Sequence, residues 1–323
     1  MFVIWSIGYF NMKIIFFGTS QFAIPSLEAV SLTAHSLLAV VTQPDKRGGR
    51  THRLLESPVK RWALENKIPL LQPPDLSESS FMAALKKNRA DLFVVVSYGK
   101  ILPPALLALP SFGGVNVHPS LLPRYRGANP IPWAILNGDP KTGVTLIRLV
   151  EEVDAGDILL QKEVALDQEE DALQLSEKLS RLGGKLLVES LDGIEKGKAT
   201  FVPQRGEVSD APRFKKEDGA IDWTKSAKML SREIRAFVPW PGSFSYLDGK
   251  RLLIWKAKEV EGEATGCPGE VVGFSGEKEF IVATGKGKLL VERLQLEGKE
   301  MMSSSSFLAG HPLRIGETFA CNP

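Results

Sequence analysis

Apolar runs and amphipathic stretches alternate along the first 190 residues, which is the pattern of strands alternating with helices. Short apolar runs rich in β-branched residues predict strands, and longer stretches with an apolar stripe predict helices. The predicted strands are 13–17, 37–42, 68–71, 92–97, 143–150 and 157–164, and the predicted helices are 21–31, 57–65, 77–88, 130–136 and 171–194. We therefore predict an α/β domain with a mostly parallel, Rossmann-like sheet that helices cover on both faces.

The alternation stops at residues 199–213, where Pro203, Gly206 and Pro212 stand among polar residues. The elements predicted beyond it are a helix at 226–237, strands separated by glycine turns at 251–257, 269–273, 280–283 and 288–294, and a short helix after the polar run 303–306. This pattern indicates a second, smaller β-barrel domain of OB-like type. The expected division is a non-functional extension at 1–11, a first domain at 12–200, a linker at 201–213 and a second domain at 214–323.

Composition adds little to this picture, but the distribution of charge changes it. Hydrophobic residues make up 43% of the 323 positions and charged residues 24%, as in an ordinary globular protein. The net charge is +2, yet residues 45–62 carry six Lys and Arg against two acids, and 211–260 carry eleven against six. Two basic regions indicate an anionic partner such as a nucleic acid, although two solvated faces would have the same composition.

The sequence gives no indication of a membrane protein, a metalloprotein or a disulfide-rich protein. The apolar first eleven residues are shorter than the roughly 20 that a bilayer span needs, and they lack the basic start and cleavage site of a signal peptide. Cys267 and Cys321 are too few for a disulfide framework or a metal cluster. His35, His52 and His311 stand alone and are expected on the surface or in packing. We expect no metal site, no membrane association and a cytoplasmic protein.

The stretch at 113–126, GGVNVHPSLLPRYR, is the main candidate for chemistry. Asn116 and His118 alternate with valines at a strand end, so their side chains share one face. An amide and an imidazolium can together hold the oxyanion of a tetrahedral intermediate, and an imidazole can exchange a proton near neutral pH. Such a histidine needs an acidic partner, and Asp154 lies in a Gly-containing loop, VDAGD. Loop capping is the alternative explanation for the first two residues, and Asp154 could be an ordinary turn residue.

Nucleotide-binding motifs are absent from the sequence. A dinucleotide fingerprint after the first strand would need glycines where Ser20 and Ala23 stand, so Gly18 is most simply a tight strand-to-helix turn. No GxxxxGK[ST] loop is present either. A nicotinamide-dependent enzyme is therefore disfavoured.

The chain from Met12 onward resembles the 10-formyltetrahydrofolate-dependent formyltransferases. The resemblance lies in NVHPSLLPRYRGANPIPWAI followed by DAGDIL, in KIIFFGTSQFAIPSLEAV, TQPDKRGGR with SPVK, and VVVSYGKILP, and in the C-terminal IRAFVPWPGS. The TQPDKRGGR and IRAFVPWPGS segments are most similar to members that act on methionyl-tRNA. The sequence departs from the family pattern at Asn129 and Pro132, which puts local substrate contacts in doubt rather than the reaction.

The resemblance implies roles for particular residues. It makes Asn116, His118 and Asp154 the catalytic trio and residues 46–53, here called the basic finger, a contact for tRNA. The implied folate-binding residues are Ser120, Leu121, Leu122, Pro123, Tyr98, Gly99 and Ile101, and the implied tRNA-binding residues are Lys46, Arg47, Arg50 and Arg53. It also implies catalysis in the first domain and tRNA binding by the second.

The implied reaction transfers the formyl group of 10-formyltetrahydrofolate to initiator methionyl-tRNA. It implies no metal, and a monomer that needs no obligate protein partner. Two alternatives remain open. An amino-sugar-nucleotide formyltransferase would keep the trio but have no use for the basic finger. A non-catalytic tRNA- or folate-binding module would be expected to lack one of the three residues, and all three are present.

Overall fold

The computed structural model describes residues 11–48, 53–263, 265–276 and 279–320, and within them the chain forms two compact units. The first unit comprises the chain up to Ala128 together with Lys141–Val164 and Ser176–Ala211. The second comprises Asn129–Pro140, Ala165–Leu175 and the chain from Pro212 onward. The segments that form the two units therefore alternate along the sequence.

Strands and helices alternate through the first 211 residues, as the apolar pattern predicts. The strands are β1 (Lys13–Gly18), β2 (Ser36–Val41), β3 (Lys46–Gly48), β4 (Arg53–Leu55), β5 (Leu70–Leu71), β6 (Leu92–Val96), β7 (Gly114–His118), β8 (Arg126–Gly127), β9 (Lys141–Arg148), β10 (Ile158–Ala165) and β11 (Asp210–Ala211). The helices are α1 (Ile24–Ser31), α2 (Pro58–Glu65), α3 (Ser79–Asn88), α4 (Pro104–Leu107), α5 (Pro130–Asn137) and α6 (Ala172–Glu195).

The main sheet of the first unit has seven strands in the order β10-β9-β7-β6-β1-β2-β5. The five strands from β7 to β5 run parallel, and β9 is antiparallel to β7. The chain builds outward from β1 to β2 and β5, then returns to place β6 on the other side of β1, which is the strand order of a doubly wound sheet. The predicted Rossmann-like α/β fold is confirmed.

Local sequence explains why the central elements form where they do. All five residues of β6, LFVVV, are buried, because this strand has neighbours on both edges and is rich in β-branched side chains. Helix α2 begins where Ser57 accepts a hydrogen bond from the Lys60 amide, and Pro58 follows at the first helical position.

Two adjacent glycines let α6 lie close to its neighbours in the first unit. A Cβ at Gly183 would be 2.6 Å from Val117 Cγ1, and one at Gly184 would be 2.8 Å from the Pro25 carbonyl oxygen. Both distances are below ordinary van der Waals contact. Helix α6 therefore has glycine at these positions for close packing, although glycine disfavours a helix.

The second unit has one antiparallel sheet and its own core. Its elements after residue 212 are α7 (Ala227–Ala236), β12 (Ser243–Leu247), β13 (Lys250–Val260), β14 (Val271–Ser275), β15 (Glu279–Ala283), β16 (Lys288–Leu296), β17 (Met302–Ser303) and α8 (Ser304–Gly310). The sheet order is β12-β13-β16-β15-β14, with β17 also paired to β16. Its core includes Trp223, Leu230, Phe280, Phe307 and Phe319, each at most 2% exposed.

Helix α5 and the start of α6 pack into this second unit. The Trp133 ring of α5 stacks on Phe214 with 5.3 Å between centroids, and its Nε1 donates to the Pro212 carbonyl. Arg235 of α7 donates to the Glu170 carbonyl over 2.9 Å. Asn129 and Pro132, the two departures from the family pattern, lie in this unit.

Some elements differ from those expected. Strand β12 was not predicted, and α8 begins at Ser304, inside the polar run, because the Ser303 hydroxyl accepts from the Ser306 amide and caps it. Among the described residues, no helix combines the length and apolar character needed to cross a bilayer.

The glycine packing of α6 predicts opposite effects for the same substitution at two positions. Gly184→Ala should destabilise the chain by about 1–3 kcal/mol, because the new methyl group meets the Pro25 backbone. Gly193→Ala in the same helix should be neutral or stabilising by up to about 1 kcal/mol, because its Cβ would have no neighbour closer than 3.9 Å. Urea unfolding of both variants measures the difference, and equal stability would contradict the packing argument.

Candidate active site

Strand β7 carries two polar side chains two residues apart, so both lie on one face of the sheet. Asn116 is half-buried and His118 is 3% exposed. The Asp154 carboxylate reaches both of them: Asn116 Nδ2 donates to Asp154 Oδ1 over 3.1 Å, and His118 Nδ1 lies 3.4 Å from Asp154 Oδ2. The structure therefore brings together the three residues singled out in the sequence.

The imidazole of His118 has a protein acceptor at each ring nitrogen. Nε2 lies 2.8 Å from the Tyr125 carbonyl oxygen, and because a carbonyl can only accept, this nitrogen carries a proton. Nδ1 faces the Asp154 carboxylate, which is also an acceptor. The two contacts hold the imidazole ring in one orientation, with Nε2 as the donor to Tyr125 and Nδ1 beside the carboxylate.

Asp154 is the centre of the site and has an uncommon backbone conformation. Its φ is +52°, in the left-handed region, and its side chain is 10% exposed. Besides Asn116 and His118, its carboxylate accepts from the Gly127 amide over 2.8 Å, with Oδ2 as the acceptor. The loop after β9 is thus joined to both β7 and β8 through one side chain.

Gln204 holds the backbone of the loop that carries Asp154. Its Nε2 donates to the Asp154 and Gly156 carbonyls over 2.7 and 2.8 Å. Its Oε1 accepts from Arg126 Nε and Nη2 over 3.3 and 2.8 Å, and Arg126 Nη1 pairs with Glu152 over 3.1 Å. Gln204 could not be predicted from the sequence, because a side chain that bonds to backbone carbonyls and to one distant arginine leaves no motif. It lies within the stretch expected as a linker.

The predicted folate residues 120–123 form a turn that internal hydrogen bonds hold in place. Ser120 is fully buried; its Oγ donates to the Arg124 carbonyl, and its own carbonyl accepts from Thr145 Oγ1, both over 2.6 Å. Leu122 and Pro123 are also buried, whereas Leu121 is half-buried. In this arrangement the turn offers a ligand the side chain of Leu121, and its other three residues shape the turn.

The second predicted folate segment follows β6. Tyr98 is 1% exposed, and its hydroxyl has no hydrogen-bond partner among the described residues. Burial raises the pKa of Tyr98 to about 12, so the phenol stays protonated near neutral pH. The Tyr98 carbonyl accepts from Thr19 Oγ1 and Gln43 Nε2 over 2.9 and 2.7 Å. Gly99 has a φ of +82°, and a Cβ there would lie 2.5 Å from Gln43 Nε2, so the segment requires glycine at this position.

Ile101, the third residue of that segment, borders an open cleft. Its side chain is 66% exposed. The cleft has a volume of about 470 Å³, and Lys100 at its edge donates to the Pro74 carbonyl over 2.6 Å. Glu151 also lines it and stands three residues before Asp154. A cleft of this size with an apolar wall and a few polar groups is suited to a small organic ligand.

The basic finger begins and ends as a two-stranded hairpin rather than an open loop. Strand β3 pairs with β4 in antiparallel register, with Lys46 opposite Leu55 and Arg47 opposite Leu54. Lys46 is exposed, and Arg53 is the first residue of β4. Arg50 lies outside the described residues. The leucines Leu54 and Leu55 are 64% and 59% exposed, so the hairpin presents apolar side chains as well as the basic Lys46.

The arrangement of the trio is suited to a reaction that passes through an oxyanion. The Asn116 amide has two N–H groups and donates one to Asp154, which leaves the second for a substrate oxygen. The His118 ring beside it would, when protonated, supply positive charge in a largely buried site, where charges interact more strongly than in water. These features fit acyl or formyl transfer.

Family models and sequence relatives point to the same chemistry. The model described as "Formyl transferase" matches residues 12–191, and "Formyl transferase, C-terminal domain" matches 213–312. The chain is 43% identical over 306 residues to a methionyl-tRNA formyltransferase of Pelotomaculum thermopropionicum, covering 94% of this chain and 97% of that one. It is also 43% identical over 303 residues to the enzyme of the same name from Thermodesulfovibrio yellowstonii, with coverage of 94% and 97%.

Solved structures with lower sequence identity share the fold. HypX from Aquifex aeolicus in complex with tetrahydrofolic acid superposes with a TM-score of 0.67 at 21% identity, over 95% of this chain and 48% of that one. WlaRD, a sugar 3N-formyl transferase, has a TM-score of 0.60 at 19% identity, over 90% and 99% of the two chains. At these identities the likeness supports the architecture and not a substrate.

The contacts of Gln204 predict how the Asp154 loop behaves when they are removed. Gln204→Ala deletes two hydrogen bonds to the loop backbone, each worth about 0.5–1.5 kcal/mol. We expect the amides of residues 155–157 to exchange with deuterium roughly 5- to 100-fold faster, while the sheet amides of β6 are unchanged. Gln168→Ala, at an exposed glutamine, serves as the control. Unaltered exchange in the loop would show that Gln204 does not hold it.

Proposed function

Because the chain belongs to the formyl transferase family, we propose that it transfers the formyl group of 10-formyltetrahydrofolate to the α-amine of initiator methionyl-tRNA. Near-full-length relatives at 43% identity carry the name methionyl-tRNA formyltransferase, and sugar formyltransferases resemble the chain only in fold. The proposal places the reaction in the cytoplasm and has the chain act as a monomer without an obligate protein partner.

The observation that carries the proposal is the contact of one carboxylate with an amide and an imidazole. Asp154 lies 3.1 Å from Asn116 Nδ2 and 3.4 Å from His118 Nδ1. In the proposed reaction the amine attacks the formyl carbon, and the formyl oxygen becomes an oxyanion. The second N–H of Asn116 donates to that oxygen, and the His118 imidazolium stabilises it by its charge, since both its ring nitrogens face protein acceptors.

The tetrahedral intermediate then collapses to products. The bond between the formyl carbon and N10 of the folate breaks, and the new bond from that carbon to the amine nitrogen remains. The proton that the amine loses ends on N10, and Asp154 with His118 assists this transfer as an acid–base pair. The oxyanion has protein donors and the formyl group is already activated on its carrier, so the proposed steps use no metal.

We assign the folate donor to the first unit, beside the trio. The turn 120–123 and the segment from Tyr98 to Ile101 would flank it, with Leu121 and Ile101 as the residues that are not buried. The cleft next to Ile101 has room for part of a folate. Support for a folate in a protein of this architecture comes from HypX, whose structure contains tetrahydrofolic acid.

The oxyanion role of Asn116 predicts a loss of turnover without a loss of folding. Asn116→Ala should lower kcat about 10²- to 10³-fold, because one preorganised donor to the oxyanion is removed. Formyl transfer to charged initiator tRNA is measured alongside circular dichroism and thermal unfolding. Asn66→Ala, at an exposed asparagine, is the control. A folded Asn116→Ala enzyme with near-normal kcat would rule out this role.

The basic finger should affect the acceptor and not the donor. We propose that Lys46, Arg47, Arg50 and Arg53 contact phosphates of the tRNA. Arg50→Ala should raise KM for methionyl-tRNA about tenfold and reduce the salt dependence of binding by about one phosphate contact, with KM for the folate unchanged. Lys87→Ala, at an exposed lysine of α3, is the matched control for net charge. If both variants behave alike, the finger has no specific role.

Substrate choice separates the proposal from its main alternative. The chain is incubated with 10-formyltetrahydrofolate and, in parallel, with charged initiator tRNA, glycinamide ribonucleotide or an amino-sugar nucleotide. We expect formylation of the tRNA alone. Preference for the sugar nucleotide would favour the amino-sugar formyltransferase and leave the assignment of the trio intact.

A further inference from the structure

Two polar atoms face each other in a buried part of the first unit, distant in sequence from the trio. His35 Nδ1 and Glu195 Oε1 are 3.9 Å apart, and the two side chains are 7% and 12% exposed. Neither atom has a hydrogen-bond partner within the part of the chain that the structure describes. A buried donor or acceptor without a partner costs about 1–3 kcal/mol, so this pair needs something between its atoms or close to them.

A second carboxylate lies beside the pair. Asp192 stands one turn before Glu195 on α6, and the ligand atoms of His35, Asp192 and Glu195 all lie within 4.8 Å of one another. Asp192 is 74% exposed and pairs with Lys196 over 3.1 Å, so it can turn toward the pair at little cost.

The position of the two acids on α6 independently favours a cation. Asp192 and Glu195 fall in the last turn of the helix, which has no basic residue of its own, and Lys196 just past it pairs with Asp192. The carboxyl end of a helix carries a partial negative charge, so acidic side chains there are unfavourable. A positive ion between them would offset both the repulsion from the helix end and the missing partner of His35 Nδ1.

The donor set identifies the chemical class of that ion. One imidazole nitrogen and two carboxylate oxygens are ligands that zinc takes, at bond lengths of about 2.0–2.2 Å. Tetrahedral geometry at those lengths separates neighbouring ligand atoms by roughly 3.4 Å, and the 3.9 Å between His35 and Glu195 reaches that value with a small side-chain shift. Magnesium and calcium prefer sites made of oxygen alone.

We propose that His35, Asp192 and Glu195 form a binding site for a divalent transition-metal ion of the zinc type, with solvent as a further ligand. The site would join the residue that precedes β2 to the last turn of α6, so its role is structural rather than catalytic. Zinc would stabilise the first unit against unfolding and leave formyl transfer unchanged.

The experiment uses the full chain without a tag, stripped with a chelator, and with both cysteines replaced by serine, because the exposed Cys267 is itself a possible zinc ligand. Zinc chloride is titrated by calorimetry, and thermal unfolding is followed with and without zinc. We expect saturable binding of one ion and a Tm that rises with zinc concentration. Cobalt(II) added in its place should give the visible spectrum of a bound, tetrahedral ion.

Variants locate the site. Glu195→Gln and His35→Gln should each weaken zinc binding at least about tenfold and abolish the rise in Tm. Glu189→Gln, at an exposed acid of the same helix, should bind zinc like the parent. Two results would overturn the proposal: a parent chain that takes up no zinc saturably, as a water-bridged His35–Glu195 pair would require, or full zinc affinity in a folded Glu195→Gln variant.

Discussion

The active-site architecture depends on where one carboxylate is held. Asp154 receives the side-chain amide of Asn116, the backbone N–H of Gly127 and the imidazole of His118, so strands β7 and β8 and the loop after β9 meet on two oxygen atoms. A carboxylate in a largely buried place is stable only with such partners. The same contacts fix the tilt of the imidazole and occupy one of the two amide hydrogens of Asn116.

Around this carboxylate, the loops are held by hydrogen bonds from side chains to backbone carbonyls rather than by packing of large apolar side chains. The turn at 120–123 is bonded through Thr145 and Ser120, the segment at Tyr98 through Thr19 and Gln43, and the Asp154 loop through Gln204. Each contact satisfies a carbonyl that would otherwise be left unpaired near the site. The loops are thereby held in fixed positions without bulky side chains that would fill the space a ligand needs.

The fold was largely predictable from periodicity, and the site only in part. Buried strands such as β6 are predictable from their apolar, β-branched composition. The two-residue spacing of Asn116 and His118 is enough to place both side chains on one face of a strand. The assignment of Asp154 to the site depended on the family resemblance, because 38 residues separate it from Asn116 in the sequence. Gln204 and the Asp192–Glu195 pair beside His35 could not be predicted, since isolated polar side chains carry no periodic signal of what they meet. Apolar residues likewise show that α5 is buried, but not against which unit.

Because Gln204 comes late in the chain, the residues of the site are synthesised before the residue that holds the Asp154 loop. All three residues of the trio have been made once residue 154 is joined to the chain, yet the side chain that holds the Asp154 loop comes 50 residues later. The β8–β11 pair is likewise completed only by Ala211. A nascent chain therefore carries all three side chains for some time before the Asp154 loop is held in place. The hydrogen bonds of that loop form after the sheet that bears Asn116 and His118 could already have folded.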